Sequence, residues 1–365
     1  MTSPTAPNQS LVSASSPYIT VQYYALACDP IHVGTGGYRL GRVDLSIVRE
    51  PGTRLPKLPG TSVSGVIRAY SAMATDRYRW QTKVRRTDAT EVTVERSCAG
   101  QGQGDAQADG SAGGHCGSPY CPVCVSFGFA RGASGGFQGL AQFADARVLF
   151  FPVHSLVGPV WVTSPSLLAE HGINVSVSAD RVRLVGGLTV SHQRLNLGWL
   201  MLQTGESFTF GSNELQDVPP DIKSRVVVVS DKLLGQVVND NLEVRTSVSI
   251  DPATGAADEG ALFTYEALPR GTVLWFPITY SEPSLFRIKY ESALVAPDPR
   301  IGAQPNGDRI SVPETVVRGL KALEHLGIGG MNTRGMGRLR VLNPDAHTQA
   351  VPQAAQTTPE TRADV

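Results

Sequence analysis

The sequence has no charge bias, no long apolar run and few cysteines, and each shortage narrows what the protein can be. Lys plus Arg number 32, as do Asp plus Glu, so 365 residues carry no overall basic signature. A surface for nucleic acid must then be local. No uncharged apolar stretch reaches the ~18 residues of a spanning helix. Residues 1–17, rich in Ser, Thr and Pro, lack the basic and apolar regions of a targeting peptide. These absences point to the cytoplasm and away from a membrane. Five cysteines are an odd number, and four of them cluster, which suits a metal site in a reducing compartment better than a disulfide framework.

What is present is ordinary for a globular chain: 41% hydrophobic and 18% charged residues, with 38 glycines and 25 prolines that call for many loops. Residues 31–68 hold the densest chemistry. Gly34, Gly36, Gly37 and Gly41 form a loop in which backbone can approach a ligand closely, although such loops also serve as plain turns. Asp44 stands between Val43 and Leu45, a carboxylate at the edge of an ordered segment or a turn-forming aspartate. His32 at the mouth of the loop can bond a phosphate, move a proton, or be satisfied by a carbonyl. Val63, Val66, Ile67, Tyr70 and Ala74 then recur at the helical period, with Thr61 or Ser62 as the cap. The first turn of that helix can hold a phosphate if it faces solvent.

In chain order, Tyr18–Ala27 reads as a strand. After the helix, Arg77, Arg79, Lys83, Arg85 and Arg86 interleave with Tyr78 and Trp80, either a stacking surface for nucleic acid or a solvated strand face. Residues 99–114 are too polar to bury themselves and read as a mobile insertion. Cys121 and Cys124 form the Cys-x2-Cys half of a zinc site, completed by Cys98 with Cys116 or His115, the alternative being buried free thiols. Residues 137–168 read as central strands and a connecting helix, with Asp145 and Arg147 structural and His154 a core or interface residue. The run of valines from Val226 reads as a buried strand, with a helix near Leu233. VRTSVSI from Val244 and ALFTYEALP from Ala261 flank a turn containing Asp251, Pro252 and Gly255, a long hairpin with Arg245 as a backbone contact. Ser311, Pro313 and Glu314 predict a capped helix, followed by a glycine loop bearing Arg334 and Arg338. Periodicity alone gives an α+β protein.

The order HVGTGGYRLGRVDLSIVRE from His32, then LPKLPGTSVSGVIR from Leu55, resembles the repeated backbone subunit of type III CRISPR-Cas effector complexes, in the RAMP superfamily. GLAQFADARVLFFPVHSLVGPVWVTSP from Gly139, the hairpin from Val244, and GIGGMNTRGMGRLRV from Gly327 resemble the type III-B form, while CPVCVSFG from Cys121 is more similar to the type III-A subunit. The resemblance implies one RRM-like (ferredoxin-like) palm over residues 18–342, with a zinc-bearing finger insertion at about 75–128 and a thumb β-hairpin at about 243–270, between disordered segments 1–17 and 343–365. It implies copies polymerised along a CRISPR guide RNA, with other effector subunits, pairing the guide with complementary target RNA in antiviral defence. Asp44 becomes the catalytic residue, assisted by His32, in Mg²⁺- or Mn²⁺-dependent attack by a 2′-hydroxyl that leaves a 2′,3′-cyclic phosphate. The implied RNA contacts are Gly34, Gly36, Gly37, Arg39, Arg42, Arg49, Ser62, Ser64, Arg68, Arg245, Arg334 and Arg338. Ser64 departs from the family, which usually has lysine there. The alternatives are a guide-holding scaffold that does not cut and, further off, a zinc-dependent enzyme of another substrate.

Overall fold

The structure, a computed structural model, describes residues 16–36, 43–85, 90–100, 114–130, 135–258 and 262–349. Its principal elements, in chain order, begin with β1 (Tyr18–Ala27), α1 (Gly60–Met73), the hairpin strands β2 (Trp80–Arg85) and β3 (Glu91–Arg96), and α2 (Pro122–Phe127). There follow β4 (Ala146–Val153), β5 (Val160–Thr163), β6 (Arg181–Leu184), β7 (Arg194–Leu197), β8 (Leu200–Thr204), β9 (Val226–Val228) and α3 (Asp231–Asp240). The chain closes through β10 (Glu243–Ser247), β11 (Phe263–Ala267), β12 (Val273–Ser281), α4 (Val312–Leu326) and β13 (Leu339–Val341).

One sheet runs through the molecule in the order β7-β8-β6-β9-β5-β4-β12-β1-β13. β1 lies one strand in from the β13 edge, and both of its faces are apolar. Tyr23 and Tyr24, adjacent and therefore on opposite sides of the strand, are both buried. On one side Tyr23 stacks on Phe276 of β12 with ring centroids 5.9 Å apart, and its hydroxyl meets that of Tyr280 at 2.9 Å. Helices α1 and α4 cover this side with Val63, Ile67, Val316, Leu320 and Leu323. They come so close that a Cβ at Gly319 would lie 2.4 Å from the Ile67 carbonyl oxygen. Tyr24, Phe150, Val228 and Trp275 face the other way, against Leu168, Leu215 and Ile222. In the run β4, β12, β1 and β13 each strand is antiparallel to its neighbour.

Several local expectations hold. Ser311 caps α4 in a reciprocal box with Glu314, the valine run supplies the fully buried β9, and β10 pairs with β11 in antiparallel register. Others need correcting. α1 begins at Gly60 with Pro59 at its N-cap and no side-chain cap from Thr61 or Ser62. Asp145 serves that end instead, its Oδ1 accepting from the Gly60 N–H at 2.7 Å while Lys57 approaches Oδ2 at 2.5 Å. Burial pushes the Asp145 carboxyl up, but Lys57 and the Gly60 N–H pull it down further, to a net value below the usual range. The α1 terminus therefore already holds an anion, and the phosphate expected there has a protein carboxylate in its place. His154 is exposed beyond the end of β4 rather than in the core. Residues 343–349, expected in a disordered tail, dock on β1: Asn343 Oδ1 accepts from the Tyr24 N–H at 2.9 Å. Most of the expected mobile insertion, 101–113, lies outside the described residues.

Candidate functional site

Three segments far apart in sequence meet at His32. Thr35 N–H donates to Ser46 O at 3.1 Å and Val48 N–H to Val33 O at 3.0 Å, zipping the base of the glycine loop. The C-terminal glycine loop closes from another side. Gly330 N–H donates to His32 O at 2.9 Å, and a Cβ on Gly329 would be 2.3 Å from that oxygen, so only glycine fits there. From the third side comes β11. His32 Nδ1 lies 2.7 Å from Glu266 O; a carbonyl only accepts, so Nδ1 carries a proton and the ring's other nitrogen, Nε2, is the one that can exchange its proton.

β11 also holds Asp44. Leu45 N–H donates to Thr264 O at 3.0 Å and Glu266 N–H to Leu45 O at 3.2 Å, joining the Asp44 segment to β11 through one parallel bridge. Asp44 Oδ2 accepts from the Thr264 N–H at 2.7 Å and from its hydroxyl at 2.8 Å. The Thr264 N–H first, and then its hydroxyl, hold the Asp44 carboxyl below the usual carboxylate range. Oδ1, by contrast, makes none of the described hydrogen bonds. Below it, Leu45, Phe263, Tyr265, Met331 and Met336 pack together. Asp44 and His32 thus hang from residues two apart on one strand, about 7 Å along it.

Glu266 anchors this arrangement and was not legible as a site residue. It is 7% exposed; its Oε1 takes the Ile47 N–H at 3.0 Å, and both of its oxygens take Arg49 at 2.7 Å. Arg49 Nε reaches Asn239 of α3 at 2.7 Å. Arg49, expected on RNA, is instead spent on this ion pair, because a buried carboxylate needs a charged partner. Arg49→Ala leaves that carboxylate unpaired and is expected to cost about 3 kcal/mol, the lower end for a buried pair since Arg49 keeps some exposure. The denaturant midpoint checks it: no change would mean the pair is not the anchor. The available signal was Thr264 and Glu266 at i and i+2 in an otherwise apolar strand.

The other expected RNA contacts divide. Gly37, Arg39 and Arg42 lie outside the described residues. Gly34 pairs its backbone with Ile47, Gly36 is exposed, and Ser62 and Ser64 are half-buried on α1. Arg334 is exposed on the C-terminal loop, and Arg338, also exposed, pairs with Asp29. Arg245 pairs with Glu243 on β10. Asp251 shapes the turn that follows β10, accepting from Ala253 N–H and the Thr254 hydroxyl, both at 2.9 Å. In the basic hairpin, Arg77 is buried with its guanidinium 4.7 Å from the Trp80 ring centroid. Arg79 and Lys83 face Glu95 and Glu91 across β2 and β3 at 3.9 Å.

Arg68 also turns inward, toward the cysteines. Its Nε donates to Cys98 O at 2.7 Å and its Nη2 to His115 Nδ1 at 2.8 Å. Arginine only donates, so the Nδ1 lone pair of His115 is engaged. The group the structure draws together is the four cysteines, without His115. Sγ of Cys98, Cys116, Cys121 and Cys124, all buried, lie within 4.8 Å of one another. Cys98 is 3.6, 3.9 and 3.7 Å from Cys116, Cys121 and Cys124, and Cys116 is 3.7 Å from Cys124. Four thiolates at about 2.3 Å from one zinc would stand about 3.8 Å apart, whereas a disulfide needs about 2.05 Å. Among the described residues this is the one group of three or more His, Cys, Asp or Glu drawn close enough to hold an ion.

A family model described as the RAMP superfamily matches residues 25–340, nearly the whole described chain. The chain belongs to the RAMP superfamily. The CRISPR system Cmr endoribonuclease Cmr4 of Pyrococcus furiosus is 23% identical to this RAMP chain over 270 residues, covering 67% of this chain and 76% of that protein. A chain in the cryo-EM structure of type III-B Cmr-beta bound to cognate target RNA superposes with a TM-score of 0.55 at 14% identity, over 90% of this chain and 99% of that one. A chain of the apo-state Cmr-beta gives 0.54 at 14% identity, over 88% and 96%. At these identities the structural likeness is one of fold. Among the described residues of this RAMP chain, no helix is long and apolar enough to cross a membrane.

Proposed function

We propose that this RAMP chain is a backbone subunit of a type III-B CRISPR effector, which binds guide RNA as one of several copies and cuts complementary target RNA. The observation that carries the reading is Asp44: an ionised carboxylate with one oxygen clamped to the thumb and the other left to ligands, beside two glycine loops. The order β1-α1-β4-β12-α4-β13, with β1 seated between β12 and β13, supports reading this part as a ferredoxin-like, RRM-like palm. The β2–β3 hairpin and the cysteine cluster are its finger, with structural zinc on Cys98, Cys116, Cys121 and Cys124; β10 and β11 form the thumb. Of the expected arginines, Arg334 is exposed to meet an RNA phosphate, and Arg245 and Arg338 reach one by exchanging Glu243 and Asp29 for it.

Asp44 is the residue that would hold Mg²⁺ or Mn²⁺, which when bound neutralises charge at the scissile phosphate. His32 Nε2 takes the proton of the attacking 2′-hydroxyl. The new P–O2′ bond expels the 5′-oxygen, which is protonated, giving a 2′,3′-cyclic phosphate and a 5′-hydroxyl. The thumb holds the strand for in-line attack. Sequence is read by base pairing to the guide, while the protein reads backbone shape.

The test is a labelled RNA complementary to the guide, added to the assembled complex with Mg²⁺ and with EDTA. Fragments at regular spacing that vanish in EDTA support the proposal. Binding without cutting in Mg²⁺ would leave a scaffold and remove the nuclease.

A further inference from the structure

We infer that Thr264 is the positioning residue for Asp44, fixing the rotation of its carboxylate from the thumb. The inference rests on the nuclease reading above. Thr264 grips Asp44 in both directions: its N–H and its hydroxyl donate to Oδ2 at 2.7 and 2.8 Å, and its Oγ1 accepts from the Asp44 N–H at 3.1 Å. With Oδ2 saturated, the plane of the carboxylate is set and Oδ1 is the atom presented outward. A carboxylate free to rotate would offer either oxygen over a range of directions, and the fraction in productive geometry would fall.

The hydroxyl is not needed to hold the fold. The Asp44 segment is tied to β11 by the Leu45 backbone, through Thr264 O at 3.0 Å and the Glu266 N–H at 3.2 Å. Two residues further on, Ile47 N–H and the Arg49 guanidinium lock onto Glu266. Removing Oγ1 leaves these anchors and the Thr264 N–H bond in place, and changes how Asp44 points. Thr264 lies on the strand that runs back from the thumb tip, so its grip also ties the catalytic carboxylate to the position of the thumb.

The experiment compares Thr264→Val, which keeps the shape and deletes the hydroxyl, with Thr264→Ser, which restores it, in the assembled guide-loaded complex. Single-turnover cutting at saturating target and target Kd are measured separately. The expected result is a rate about 10- to 100-fold lower in Thr264→Val, an unchanged Kd, and recovery in Thr264→Ser. In an Asp44→Ala background, Thr264→Val should have no further effect, since the two act as one unit. A Thr264→Val rate equal to the native one, with Asp44→Ala inactive, overturns the positioning role and leaves the nuclease reading standing. Full cutting by Asp44→Ala sinks the nuclease reading itself. A parallel loss of rate and Kd that Thr264→Ser does not rescue makes Thr264 merely structural and overturns the inference.

Discussion

A complex assembled with Asp44→Ala will hold its target RNA and fail to cut it. The expected loss is about 10²- to 10⁴-fold in single-turnover rate, with fragment spacing and target Kd unchanged. The selectivity follows from the geometry. Among the described residues the Asp44 side chain hydrogen-bonds to Thr264 alone, and the segment around it is held by Leu45 and Ile47 backbone bonds that alanine preserves. The same contacts set the pH behaviour. Because the Thr264 N–H and hydroxyl lower the Asp44 pKa, its ionised form persists down into the range where a free aspartate titrates. Acid loss of cutting above that range must then come from another group. A rate profile whose acid limb near neutrality disappears only on changing Asp44 would contradict this assignment, as would native cutting by Asp44→Ala.

How far the sequence went is seen by following individual contacts. Short-range devices were legible because their partners are close in the chain: the Ser311–Glu314 box spans three residues, the thumb turn closes around Asp251, and Cys121 and Cys124 announce their chelating half. The family resemblance supplied Asp44. Long-range pairings carry no local mark. Thr264 reaches Asp44 across 220 positions, and Arg49 reaches Glu266 across 217, so an arginine that the sequence offers to RNA is consumed by a carboxylate nowhere near it in the chain. Arg68 went astray for the same reason, since its half-buried guanidinium answers the cysteine cluster and His115. The α1 terminus looked open because Asp145, 85 residues away, supplies its anion. Each error put at the RNA surface a group whose charge is already answered inside the protein.

Removing the metal should loosen the finger before anything else. A tetrathiolate zinc would contribute about 10–16 kcal/mol of binding free energy, tying together segments that otherwise share one small apolar cluster. The cluster's other buried members are Ala72 of α1 and Val123 of α2. Burial pushes the Cys121 thiol well up, so binding must displace protons and the affinity should fall with pH. The charge is answered too: four thiolates and one zinc carry about −2, and the Arg68 guanidinium lies beside them, joined to Cys98 O. We expect the purified chain to hold about one zinc. We also expect Cys121→Ser, or a strong chelator, to release it with a lower Tm and faster proteolysis within residues 98–124. The palm and thumb cores share no buried residue with the cluster, so β11 should keep its grip on Asp44 and residual cutting should track the surviving folded complex. Loss of cutting with Tm and proteolysis untouched would make the zinc catalytic. A chain purified under reducing conditions without zinc, and equally stable, would reduce the cluster to four buried thiols.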